Sequence, residues 1–186
     1  MDIFKVCIIG ADSTGKTTLA RNLAAYYGTA FVPEYAREFI EAHDGTFNFN
    51  DMPTIVEAQL LAEAKQLSAT HRVLFCDGSA LANCIWSERY FGRSHPKVIE
   101  LANASSYDLF LLTRIDVPWK ADAIRDSKGH RKWLDTRFEA ELTKRGWRYV
   151  SIDGSWDRRF ATSVRHVNEL LNIDLSDREA TMQGDD

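Results

Sequence analysis

Short apolar runs alternate with longer amphipathic stretches along the chain, the pattern of a parallel sheet whose strands are covered by helices on both faces. Residues 3–9 (IFKVCII), 31–32, 73–76 (VLFC), 109–112 (LFLL) and 149–152 read as strands. Helices are predicted over 17–27, with Leu19, Leu23 and Tyr26/Tyr27 at core spacing, and over 34–43. Asp51 is placed to cap a long helix with an apolar stripe of Ile55, Ala58, Leu61, Ala62 and Leu67. Further helices run over 79–91, stopping at Gly92, from Pro96, over 131–145, stopping at Gly146, and over 159–171. Strands linked by right-handed helical crossovers make a doubly wound α/β sheet, whose ligands bind at the carboxyl ends of the strands.

Composition limits the class. A chain of 186 residues, 45% hydrophobic and 27% charged, builds one cored domain and has no room for two catalytic ones. There is no apolar run near the roughly 20 residues of a membrane span, and Asp2 and Lys5 interrupt the start, so a soluble, cytoplasmic protein without membrane partners is expected. The net charge of -4 argues against a general nucleic-acid binder. Residues 172–186 hold Asp174, Asp177, Glu179, Asp185 and Asp186 against Arg178, so the body, residues 1–171, is neutral. The division expected is a catalytic domain over 1–171 and an acidic, disordered tail over 172–186. Residues 114–148 reverse the sign, with ten Lys/Arg against six Asp/Glu, which suits an anionic visitor. Cys7, Cys76 and Cys84 form no CxxC pair and have no His at ligand spacing; Cys7 and Cys76 lie in apolar runs and read as small buried hydrophobes.

Directly after the first strand stands GADSTGKT, residues 10–17, the GxxxxGK[ST] pattern in its required order of strand, loop and helix. Gly10 and Gly15 permit backbone conformations that turn the N–H groups of Asp12, Ser13, Thr14, Gly15, Lys16, Thr17 and Thr18 toward phosphate oxygens. Lys16 adds a point charge to the β and γ phosphates, the helix start adds its positive end, and Thr17 offers a hydroxyl to Mg²⁺. Asp77, just past VLFC, is placed to face the metal or its waters; the alternative is a cap for the next helix.

A small kinase is favoured over a GTPase or ATPase regulatory module. The run Thr113-Arg114-Ile115-Asp116 only loosely echoes NKxD, no DxxG follows Asp77, and a motor needs more chain. After the second strand comes Pro33-Glu34-Tyr35-Ala36-Arg37-Glu38, at the end where a phosphate acceptor would lie. Glu34, Arg37 and Glu38 share a helical face; a carboxylate there can take the proton of an attacking hydroxyl and Arg can steady sugar or phosphate oxygens, the plainer reading being a surface ion pair at a helix start. The polar stretch 116–131, with Trp119, Asp122, Arg125, Lys128, His130 and Arg131, has the composition of a lid, or of a solvated loop. Trp86 and Tyr90, one turn apart, can stack on a flat ring or pack in the core.

Taken together, GADSTGKTTL, FVPEYAREFI, FCDGS, CIWSERYFGRSHP, YDLFLLTRIDVPWKADAIR and YVSIDGSWDRRF resemble the ribosylnicotinamide kinase domain of the NadR family, in unbroken order from about Phe4 to Leu171. That resemblance implies a three-layer P-loop NTPase fold with a five-stranded parallel sheet and a nucleoside-kinase-like lid. It implies ATP- and Mg²⁺-dependent phosphorylation of the 5′-hydroxyl of nicotinamide riboside, giving nicotinamide mononucleotide. Another nucleoside or small metabolite is the alternative acceptor. By the same resemblance Lys16 and Thr17 hold phosphate and magnesium, Glu34 and Arg37 border the acceptor with Tyr35, Trp86, Tyr90 and Trp119 around it, and Asp77 serves the metal or the acceptor hydroxyl. Arg125 and Arg131 are the implied lid arginines, and adenine is expected near Asp153 to Arg159. Pro33 stands where some relatives have an aromatic, and Ser79 where some have Asp. With Met1 two residues before the first predicted strand, the adenylyltransferase domain usual upstream in this family is expected to be absent.

Overall fold

The computed structural model describes residues 3–68, 70–119 and 128–171. Its strands are β1 (Phe4–Gly10), β2 (Phe31–Val32), β3 (Val73–Asp77), β4 (Leu109–Thr113) and β5 (Tyr149–Ile152). Its α-helices are α1 (Lys16–Tyr27), α2 (Tyr35–Ala42), α3 (Met52–Leu67), α4 (Ala80–Phe91), α5 (Pro96–Ala104), α6 (Arg131–Arg145) and α7 (Trp156–Leu170). All strand pairs are parallel, in the order β2-β3-β1-β4-β5. The chain thus leaves β1 for one side of the sheet and later crosses to the other, and the crevice at that reversal is where such sheets bind ligands.

Alternation along β1 decides the layers. Val6 and Ile8 face a cluster with Leu19 and Leu23 of α1 and Val167 and Leu170 of α7. Cys7 and Ile9 face Leu81 and Ile85 of α4 and Leu134, Phe138 and Leu142 of α6. Since both faces are covered, β1, β3 and β4 carry the continuous apolar runs that marked them in the sequence. Cys7, Cys76 and Cys84 are buried free thiols, and burial pushes the Cys84 thiol up to about 11. No helix among the described residues is long and apolar enough to cross a membrane.

Four sequence expectations change. Strands β3 and β4 run one residue further, because Asp77 and Thr113 still pair with Ile8 and Gly10 of β1. Helix α7 starts at Trp156, three residues early, since the Ser155 hydroxyl accepts from Arg158 N at 3.3 Å and caps it. In α3 the buried face is Met52, Ile55, Val56, Gln59 and Glu63, whereas Leu61 is 71% exposed. Asp51 does not cap α3 with its side chain; it turns back to accept from Asn48 N at 2.8 Å, closing a capping box with Asn48.

The buried acid on that α3 face is paired. Glu63 accepts from Lys5 Nζ at 2.8 Å and from the Tyr107 hydroxyl at 2.7 Å, with the Lys5 ammonium 4.3 Å from the Tyr107 ring centre. Burial pushes the Tyr107 phenol well above its ordinary range.

Candidate active site

The loop at residues 10–17 crosses the carboxyl ends of the central strands. Gly10 has φ 145°, and a Cβ there would stand 2.5 Å from the Thr113 carbonyl oxygen, so only glycine lets β1 end against β4. Gly15 has φ 85°, and a Cβ would stand 2.2 Å from the indole of Trp156, which lies on the loop at the first position of α7. Thr14 is fully buried; its hydroxyl donates to Ala11 O at 2.8 Å and meets the Thr113 hydroxyl at 2.7 Å, latching the loop to β4. The Lys16 ammonium also reaches Ala11 O, at 2.9 Å, and so lies along the loop's own backbone. The N-cap of α1 is Gly15, which has no side chain to cap it, and the helix's N-terminal dipole and N–H groups favour an anion there. Asp12 is buried, Ser13 takes the left-handed region at φ 58°, and Thr18 is exposed.

Asp77 ends β3 and accepts from the Thr17 hydroxyl at 2.5 Å. The cap of α4 is Ser79, whose hydroxyl accepts from Ala82 N at 3.2 Å. Asp77 is therefore not the cap. A hydroxyl and a carboxylate side by side beneath the loop are hard oxygen donors, the set that Mg²⁺ takes when substrate phosphates complete its shell. Ser79 is fully buried, so Ser79→Ala is expected to cost about 1–2 kcal/mol of stability, read from urea melts. A loss below a few tenths of a kcal/mol would show that the cap does not hold α4.

Arg159 sits behind the loop. It is 1% exposed, and its guanidinium donates to Gly154 O at 3.0 Å, Thr14 O at 3.3 Å, Arg114 O at 3.2 Å and the Asp116 carboxylate. Asp116 also accepts from Gly154 N at 2.6 Å. The TRID run is thus part of a bracket joining the loops after β1, β4 and β5. Asp153, beside it, pairs with Arg158 at 3.0 Å.

Glu34, Ala36, Ile40, Phe47, Met52, Ile55, Asn83, Trp86 and Tyr90 line a largely apolar cleft beside the loop. Glu34 is the residue before α2, and its Cγ lies beside Gly78, which brings one end of the cleft next to the chain just past Asp77. Trp86 and Tyr90 stack with ring centres 5.9 Å apart. Arg37 lies 3.9 Å from Glu41 on α2. Tyr35 does not line the cleft; it packs against the cluster of Phe39, Ile55 and Val98, with its N–H on Gln59 Oε1 at 2.8 Å.

The segment after β4 leads to α6. Arg131, its first residue, donates through both Nη atoms to Val117 O at 3.1 Å. Arg114 pairs with Asp135 and Glu139 of α6, each at 3.0 Å. Burial nevertheless lifts the Asp135 carboxyl above its usual range, outweighing Arg114. Trp119 is half-buried, while Arg125 and the predicted tail over 172–186 lie outside the described residues. Sequence reasoning missed Asn83, Phe47 and Trp156. Asn83 had a readable signal, falling one turn before Trp86 on the same face of α4; Phe47 lies in a loop with no period to mark it.

Comparison with known proteins adds independent findings. Residues 5–159 match a family model described as an AAA domain. The trifunctional NAD biosynthesis/regulator protein NadR of Escherichia coli (strain K12) is 29% identical over 173 residues, covering 89% of this chain and 42% of that protein. A solved structure of NadR protein in complex with NR superposes with a TM-score of 0.77 at 24% identity, covering 92% of this chain and 52% of that one. Thymidylate kinase from Ehrlichia chaffeensis superposes with a TM-score of 0.68 at 11% identity, covering 90% of this chain and all of that one (100%). The fold is the P-loop kinase fold that these structures share, and the chain spans under half the length of the curated relative.

Proposed function

The chain is a NadR-like member of the AAA domain family, and we propose that it is a small-molecule kinase that moves the γ-phosphoryl of ATP to the 5′-hydroxyl of nicotinamide riboside. The observation that carries this reading is the facing of two halves across the sheet's carboxyl edge. The loop with Lys16 and Thr17 lies on one side, and an apolar cleft bearing Glu34, Trp86 and Tyr90 on the other. A hydrolase or switch needs the first half only. That the solved NadR structure is a complex with NR supports the acceptor's class.

Lys16 and the N–H groups of the loop would hold the β and γ phosphates. Thr17 and Asp77 would hold Mg²⁺, which when bound neutralises charge on the transferring group. Trp86 and Tyr90 offer stacked rings for the flat base, bringing the hydroxyl to the Glu34 and Asp77 end. Glu34 takes the hydroxyl proton as the new O–P bond forms and the bond from the γ-phosphorus to the β,γ-bridging oxygen breaks, with ADP leaving. Arg131, with Arg125, would bring positive charge onto the transferring phosphoryl as the segment after β4 closes, and adenine would lie by Asp153 and Trp156. The catalytic unit would be residues 1–171, with 172–186 dispensable.

γ-Labelled ATP with a panel of nucleosides tests this: label is expected on nicotinamide riboside, and release to water alone would sink the kinase reading. Glu34→Gln is expected to lower kcat about 10²-fold with the KM for ATP nearly unchanged. An unaltered kcat would leave Glu34 as the residue that merely starts α2.

A further inference from the structure

Asn83 is the one carboxamide among the described residues lining the cleft, and it is 7% exposed. Its Nδ2 donates to Ser79 O at 3.1 Å. A carbonyl oxygen can only accept, so the amide nitrogen must face Ser79 and Oδ1 is turned away from it. Among the described residues Oδ1 accepts no hydrogen bond, and the cleft that Asn83 lines has apolar walls of Ile40, Phe47, Met52 and Ile55, with Glu34, Trp86 and Tyr90 completing it. An amide oxygen open to such a cleft needs a new donor once a ligand displaces water from it. A leucine or methionine would fill the same space without that need.

Position along α4 says which donor. The helix leaves the Asp77 end at its cap Ser79, and at 1.5 Å per residue Asn83 stands about 6 Å further on. Trp86 follows one turn later, and Tyr90 about 10 Å beyond Asn83. With the reacting hydroxyl at Glu34 and Asp77 and the base on Trp86 and Tyr90, the part of a nucleoside level with Asn83 is its sugar ring. We propose that Asn83 is a specificity-determining residue whose Oδ1 accepts a hydrogen bond from a ring hydroxyl of ribose, so that the enzyme selects ribonucleosides over deoxyribonucleosides. This rests on the acceptor reading above and adds to it the sugar that the site demands.

The test uses the full chain with ATP and three acceptors: nicotinamide riboside and its 2′-deoxy and 3′-deoxy forms. Wild type is expected to lose about 10- to 100-fold in kcat/KM on loss of one of the two hydroxyls, mostly through KM, because the bound deoxy form would shut Oδ1 off from water without supplying a donor. Asn83→Ala is expected to lower kcat/KM for the riboside by that factor and leave the matching deoxy form unchanged, so the two converge within about threefold, with the KM for ATP unmoved. Equal kcat/KM for all three acceptors in wild type overturns the inference without any variant, should Asn83→Ala not fold. Discrimination that survives intact in folded Asn83→Ala also overturns it, while leaving the kinase reading in place. Absence of transfer to any of the three by wild type overturns the nicotinamide riboside reading itself, and the inference with it.

Discussion

Lys16→Ala is expected to lower phosphoryl transfer by about 10³-fold or more while the protein keeps its fold. Both halves of that expectation come from one contact. The ammonium lies 2.9 Å from Ala11 O, inside the loop whose backbone would surround the phosphates, so its loss removes the fixed charge nearest the transferring group. That carbonyl also accepts from the Thr14 hydroxyl at 2.8 Å and is not orphaned when Lys16 is shortened. The loop itself is held by Thr14 on Thr113 and by Arg159 on Thr14 O, neither of which involves Lys16. Circular dichroism melts should therefore coincide within about 2 °C, whereas single-turnover transfer with labelled ATP should nearly vanish. Substantial residual turnover would remove the loop from the chemistry.

The largest stability effect is expected at Arg159. Arg159→Ala takes a guanidinium from a site that is 1% exposed and leaves the carbonyls of Thr14, Arg114 and Gly154 without their donor, beside the Asp116 carboxylate. With Asp116 40% exposed, most of the cost comes from the orphaned carbonyls, at about 1–3 kcal/mol for each that stays buried, so about 3–5 kcal/mol together, well beyond the cost of losing a cap such as Ser79. For a domain of this length the melting temperature should fall by roughly 6–20 °C. Arg159→Lys keeps the charge but cannot span carbonyls on separate loops, so it should fall in between. Because the bracket sets the loop after β1 against the loops after β4 and β5, the KM for ATP should rise in both variants at temperatures where they are folded. A loss below about 1 kcal/mol in Arg159→Ala would mean that the bracket is not what holds these loops together.

The expected role of Arg159 as a nucleotide contact is thereby recast. Its donors go to backbone carbonyls and to Asp116, so its influence on the nucleotide would pass through the shape of the loop. No reading of RRF as a helix start reveals this, because Thr14 is 145 residues away from Arg159 in the chain. The Glu63 carboxylate has the same lesson. It interrupts the apolar stripe of α3, so a hydrophobic period passes over it and selects Leu61; Lys5 and Tyr107 make the buried acid tolerable.

What was legible in the residues is what short-range physics decides. Continuous apolar runs marked β1, β3 and β4, since a strand covered on both faces has no polar side to show. Gly10, Gly15, Lys16 and Thr17 marked the loop, since its backbone conformations and its charge leave few other residue types possible. Glu34, Trp86 and Tyr90 were each visible as candidates, and helical spacing alone put the last two on one face. Folding decided the rest: the order β2-β3-β1-β4-β5, the joining of Glu34 to the Trp86 face in one cleft, the choice of Ser79 over Asp77 as cap, and the burial of Arg159 and Asn83. A side chain's period reports which face of its own element it occupies. Only the packing of other elements against that face decides whether a polar group there meets a protein partner, as Arg159 does, or is left an acceptor for a ligand, as Asn83 is.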